Sequence, residues 1–165
     1  SIDEVLVCYP GISALIHYRL GHELHRLGLP LIARIISEIA HGLTGIEIHP
    51  AAQISEGCFI DHGNGIAIGE TAVIGKRVQL HRGVTLTAPR ATSSVKSASD
   101  RTVRRHPLIE DGVVIYAGAS LLGPITIGRD SVIGSNVWVG QDIPPNSVIS
   151  QATFVRDIFH EGAGI

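Results

Sequence analysis

Residues 109–139 read IEDGVVIYAGASLLGPITIGRDSVIGSNVWV. An aliphatic residue returns at every sixth position: Ile109, Ile115, Leu121, Ile127, Ile133 and Val139. The same beat runs upstream through Ile48, Ile54 and Ile60, slips by two, and continues through Ile68, Ile74, Leu80 and Leu86. Small residues accompany it at Gly69, Gly75, Gly128, Gly134 and Gly140. A helix repeats every ~3.6 residues and a strand every ~2, so neither produces a period of six. A triangular coil does. Each six-residue side is a short strand plus a turn, and three sides close one rung. The aliphatic residue points inward and the small residue permits the tight corner. The expectation is a mainly β chain: a left-handed parallel β-helix of hexapeptide repeats, preceded by a short α-helical segment. Its crossovers break the usual right-handed rule.

Ahead of the coils, residues 1–45 read as helical. Ile12, Leu15, Ile16, Leu20, Leu24 and Leu27 recur at helical spacing until Gly28 and Pro30. Ile32, Ile35, Ile36 and Ile39 then share one face of a second amphipathic helix over 31–43. The β-helix is expected over 46–158 and a short tail over 159–165. The period fails once. Residues 88–106 are polar and Ser-rich, with Arg90, Lys96, Arg101, Arg104 and Arg105 against the single acid Asp100. Such a segment cannot form a coil side, so it is expected to project as a loop. A solvated loop and an anion site both fit it.

Composition limits the function classes. The 165 residues are 44% hydrophobic, which is too apolar for disorder, and only 4% aromatic, which suits a core of small repeated side chains. A net charge of −2 gives no field for nucleic acid, and no run is long enough to span a membrane. Cys8 and Cys58 are too few for a disulfide scaffold. The opening Ser-Ile-Asp-Glu has no basic or apolar leader region, so a cytoplasmic protein is expected. It also lacks a methionine, which suggests a start inside a longer chain. A β-helix exposes flat apolar sides, so a homotrimer is expected, with sites in clefts between prisms.

Three clusters could carry chemistry. Asp61-His62-Gly63-Asn64-Gly65 sits where the register slips by two. Asp and Gly suit a plain turn, but the repeat defect favours a site, with glycines opening space beside the imidazole. Glu47, beside inward Ile48, points outward or to a corner and could orient His62. Arg105-His106-Pro107 lies where the basic loop rejoins the coil, and Arg suits bidentate carboxylate binding.

The order GlyIleGluIleHisProAla (45–51), AspHisGlyAsnGly (61–65), IleGlyGluThrAlaValIleGly (68–75), GlyValThrLeu (83–86) and ArgHisPro (105–107) resembles serine O-acetyltransferase. The likeness covers nearly the whole chain. It implies acetyl transfer from acetyl-CoA, a co-substrate rather than a tightly bound cofactor, to the hydroxyl of L-serine. It also implies that His62 is the base, with Glu47 standing where the family has the supporting Asp. Asp61 would take the serine amine, and Arg105 and His106 its carboxylate. Thr87, Ala88, Ala117 and Gly118 would lie along CoA, with Arg90, Lys96 and Arg101 offered to its phosphates. No metal is implied. The family's helices pair trimers into hexamers, and a C-terminal Ile, here Ile165, can dock into O-acetylserine sulfhydrylase.

Three other readings compete. The acceptor could be another small hydroxyl or amine compound such as a sugar, although a neutral sugar has no use for both Asp61 and Arg105. A zinc-dependent enzyme resembling the β-helix carbonic anhydrases would draw on His62, His81 and His106. A non-catalytic trimeric scaffold would not bind acetyl-CoA.

Overall fold

The computed structural model describes residues 3, 4, 8–89 and 103–151. Arg90, Lys96, Arg101 and the tail ending in Ile165 lie outside the described residues, as does most of the 88–106 loop. Two helices, α1 (Pro10–Arg26) and α2 (Pro30–Thr44), precede fourteen strands of two or three residues each, β1 (Glu47–Ile48) to β14 (Val148–Ile149). The strands form three parallel sheets. Face A is β1-β4-β7-β10-β13, face B is β11-β8-β5-β2, and face C is β14-β12-β9-β6-β3. The chain visits A, B and C in turn, and up to β10 each strand pairs with the one three places later; at the end β12 pairs with β14, because face B there holds only an isolated bridge. This is the β-helix that the six-residue beat predicts.

Every residue on that beat is buried, from Ile48 at 4% exposure through Ile74, Leu80 and Leu121 at 0% to Val139 at 4%. A second inward set sits two positions earlier: Ile46, Ala52, Ile66, Ala72, Val78, Val84, Val113, Ala119 and Ser131. Each side of the coil therefore supplies two core residues, one at the corner and one in the strand. In-register pairs such as Ile54↔Ile74 and Leu80↔Ile115 stack these residues into columns.

The helices close the first coil. Tyr18 is 2% exposed. Its hydroxyl donates to the Ala52 carbonyl at 2.7 Å and accepts from the Ile54 N–H at 3.0 Å. Arg19 donates to the carbonyls of Ile54 and Ser55, and His22 Nδ1 donates to that of Pro50. These bonds occupy backbone groups that an open coil end would leave to water. Apart from Tyr18, the buried residues of α1 and α2 are small: Gly11, Ala14 and Gly21 on α1, and Ala33, Ser37 and Ala40 on α2. Much of the Ile and Leu stripes that mark these helices in the sequence faces outward, with Leu20, Ile32, Ile35 and Ile39 about half exposed and Leu31 and Leu43 more so, while Leu15 packs against the core and Ile12, Leu24 and Ile36 are partly buried. Close helix packing needs small residues at the contact. The exposed aliphatics are therefore left for another surface.

After Val139 the last coil holds an isolated bridge, Ile127↔Ile143, and then β14. Residues beyond 151, which include the end of the β-helix expected to reach 158, are outside the described set. At the base of the loop, Arg104 donates to the carbonyls of Ile125 at 3.0 Å and Pro124 at 2.8 Å. Its guanidinium anchors the loop to the coil rather than standing free for an anion.

Ile74 lies at 0% exposure in the middle of face B. Ile74→Ala should cost about 2–5 kcal/mol, read as a lower denaturant midpoint. A loss under about 0.5 kcal/mol would mean that the column is loosely packed.

Candidate active site on the prism edges

The coil fixes where each candidate stands. The corner between faces C and A carries Asp61, at the end of β3, and His62 just after it. This corner spans 62–66, two residues more than the corner 82–84 one coil on, and the excess is the register slip seen in the sequence. His62 has φ 58° and Gly63 φ 77°, both left-handed. His62 shares that conformation with Arg77, Asp130, Asn136 and Asn146, all at corners. The extra length turns the imidazole out, and its side chain is 79% exposed.

Gly63 does not open space beside the ring, as the sequence reading expects. It is buried against Ile46 and Ile60, and an added Cβ would come within 2.8 Å of Ile60 Cγ2. Its role is to let the longer corner return to the core.

Asp61 Oδ1 lies 3.6 Å from His62 Nε2. Its other oxygen, Oδ2, lies 3.2 Å from His81 Nδ1, one coil along. Glu47 is found elsewhere. Its Oε1 meets Arg34 at 3.4 Å, and Arg34 also bonds Glu38 at 2.5 Å. Within one chain, the described carboxylate paired with His62 is that of Asp61, and Glu47 is paired with a helix arginine.

The second group occupies the corner between faces A and B. Arg105 donates to Glu70 Oε2 at 2.6 Å. Thr71 organises the rest. Its hydroxyl accepts from the N–H groups of Arg105 (2.8 Å) and His106 (3.1 Å). It stands 2.8 Å from His106 Nδ1, which also accepts the Thr71 N–H at 3.1 Å. A ring nitrogen that accepts a backbone N–H carries no proton, so His106 is the neutral Nε2–H tautomer. Burial, and then the neighbouring Arg105, push its pKa below the usual histidine range, with Glu70 opposing. The ring fills the space above Gly69, where a Cβ would overlap it.

Glu70 and Thr71 belong to the GlyGluThr motif, yet nothing in the sequence assigns them to the loop's arginine and histidine. Thr87 and Ala88 approach this same A–B edge at the end of β7, whereas Ala117 and Gly118 lie on the C–A edge after β9. Within one chain, Asp61 and His62 therefore stand on a different edge from Arg105 and His106. The three histidines of the zinc alternative divide in the same way. Among the described residues no group of three or more His, Cys, Asp or Glu is placed to hold a metal ion. No described helix is long and apolar enough to cross a membrane. Cys58 is no candidate nucleophile, because burial pushes its thiol up to about 11.

A coiled prism with acid–imidazole and Arg–His groups on its edges has the architecture of a hexapeptide-repeat transferase. A family model described as "Bacterial transferase hexapeptide (six repeats)" matches residues 106–141. The plasmid serine acetyltransferase of Synechococcus elongatus is 54% identical over all 165 residues, which span 52% of that protein. A Helicobacter pylori serine acetyltransferase is 48% identical over 144 residues, covering 87% of this chain and 79% of that one. The chain belongs to the serine acetyltransferase family. Among solved structures, Entamoeba histolytica serine acetyltransferase isoform 3 in complex with cysteine matches 98% of this chain and 54% of its own. It does so with TM-score 0.85 at 39% identity. The Neisseria gonorrhoeae enzyme in complex with serine matches 91% and 58% of the two chains, with TM-score 0.80 at 33% identity. The chain thus spans about half the length of the first of these relatives.

Burial also pushes His49 below the usual histidine range, as it does His106. A histidine lowered in the folded state stabilises fully above the unfolded pKa of about 6.5. That stability is lost as pH falls through the folded value. The thermal midpoint should therefore fall between about pH 7 and about pH 5. The His49→Gln/His106→Gln double variant should show a shallower fall, and an equal slope would contradict the assignment.

Proposed function

We propose that this chain carries the transfer site of a cytoplasmic serine O-acetyltransferase. It moves acetyl from acetyl-CoA to the L-serine hydroxyl and gives O-acetylserine for cysteine biosynthesis. The observation that carries this reading is the exposed His62 imidazole, turned out by the lengthened corner and flanked by Asp61. Family membership supports it.

The steps follow from the side chains. A serine hydroxyl is a weak nucleophile until a base takes its proton. His62 removes that proton as the serine oxygen attacks the thioester carbonyl carbon. The tetrahedral intermediate collapses, the C–S bond breaks, and the imidazolium returns the proton to the CoA thiolate. An imidazole works in both directions near neutral pH. Asp61 meets His62 through Nε2, which leaves Nδ1 to take the serine proton; Glu47, the support that the resemblance implies, is held by Arg34 within one chain. Asp61 takes the serine ammonium group. Arg105, oriented by Glu70, takes the carboxylate, and the neutral His106 holds an Nε2–H for the same anion.

These groups occupy two edges of one prism, so the site is completed by the edge of a second copy. A homotrimer with one site in each cleft meets that need. The outward Ile and Leu stripes of α1 and α2 support a further pairing of trimers into a hexamer. Two contacts belong to segments outside the described residues: Arg90, Lys96 and Arg101 on the CoA phosphates, and Ile165 in the sulfhydrylase.

The test is CoA release from acetyl-CoA, with L-serine compared against other amino acids and sugars. L-serine should be preferred, and a preferred sugar would overturn the reading. His62→Ala should lower kcat by about 10²–10⁴ while leaving the assembly intact. Near-normal turnover in that variant would remove His62 from the mechanism.

A further inference from the structure

Asp61 touches two imidazoles, and the reaction above uses only His62. The other, His81, ends β6 one coil further along, and Asp61 and His81 are register partners in the parallel β3–β6 pair. The carboxylate spans both rings, with Oδ2 at 3.2 Å from His81 Nδ1 and Oδ1 at 3.6 Å from His62 Nε2.

The two rings are held very differently. His62 is 79% exposed, whereas the His81 side chain is 23% exposed. The His81 ring lies flat against Tyr116, with centroids 4.9 Å apart and planes inclined by 18°. Tyr116 follows β9, and the pairs Gln79↔Val114 and Leu80↔Ile115 fix that coil beside β6. His81 is therefore braced on its face by Tyr116 and meets Asp61 through a ring nitrogen. A surface carboxylate left alone turns broadly about its last torsion. One that is held at one oxygen presents the other in a fixed direction, and the ordering cost of binding falls accordingly.

We propose that His81, braced by Tyr116, is a positioning residue for Asp61. It holds Oδ2, so that Oδ1 is presented to His62 and to the ammonium group of the amino-acid substrate. The role in substrate binding rests on the reading of Asp61 given above. The contact requires the proton on Nδ1 of His81, the tautomer that an adjacent carboxylate selects.

His81→Leu keeps the bulk and removes the donor, whereas His81→Gln keeps an N–H that can reach the carboxylate. His81→Leu should raise KM for L-serine about tenfold and leave KM for acetyl-CoA within about twofold. His81→Gln should recover most of the loss, and Tyr116→Leu should fall between the two. An equal rise in both KM values would overturn the proposal. So would a glutamine variant as impaired as the leucine one. A second measurement needs neither turnover nor a core substitution. Long-range ¹H–¹⁵N spectra of the imidazoles should show His81 protonated on Nδ1, and Asp61→Asn should shift it toward the Nε2–H form. A His81 tautomer indifferent to Asp61→Asn overturns the clamp, whatever the enzyme acylates. Absence of serine-dependent CoA release by the parent protein would instead count against the functional reading, and the spectra alone would then decide the clamp.

Discussion

A closed three-sided coil allows each residue only a face or an edge, inward or outward, and it stacks like positions in columns. The parallel pairing enforces this: Ile48↔Ile68, Leu80↔Ile115 and Ser120↔Trp138 all join equivalent places on successive coils. The inward columns form a core of Ile, Leu, Val and Ala that leaves little room for deviation. Function therefore has to reside on the edges, where corners differ in length without breaking the columns. The one corner of this kind that is two residues longer brings out His62.

The same constraint explains how the candidate site residues are held. Asp61 and His81 meet because a coil brings them side by side, and Tyr116 continues the column. At the other edge the basic loop leaves the coil and returns. The returning residues Arg105 and His106 are tied by Glu70 and Thr71, while Arg104 is tied to the Pro124 and Ile125 carbonyls. Burial of His106 and the N–H it accepts from Thr71 keep its ring neutral. A neutral donor beside an arginine can bind a carboxylate without adding a second cation to a half-buried corner.

The inward aliphatics were legible because they return at every sixth position on both sides of the slip after Ile60 and of the insertion after Leu86. The second inward set was hidden, since Ala52, Ala72 and Ser131 break its apolar signal although they fill the same corner position. The helices were legible as helices, but their packing surfaces were not. Hydrophobic periodicity marks the Ile and Leu stripes, while Gly11, Ala14 and Gly21 make the contact through their small size. Asp61 and His62 could be read together because they are adjacent in the chain. The Asp61–His81 contact was one coil away, so counting the register across the slip would have found it. The Glu70–Arg105 contact was not recoverable in this way, because the insertion between Leu86 and Ile109 breaks the coil count.

The central claim is that a complete site takes its acid–imidazole edge from one prism and its Arg–His edge from another. Co-expressing His62→Ala and Arg105→Ala chains and assaying the mixed assembly at low serine tests it directly. In a three-fold ring assembled at random, about one cleft in four receives an intact edge from each side. Activity should therefore return to about a quarter of the parent value, from two variants that are each nearly inactive. Activity in the mixed assembly no higher than the average of the two variants alone would contradict the claim and return the site to a single chain.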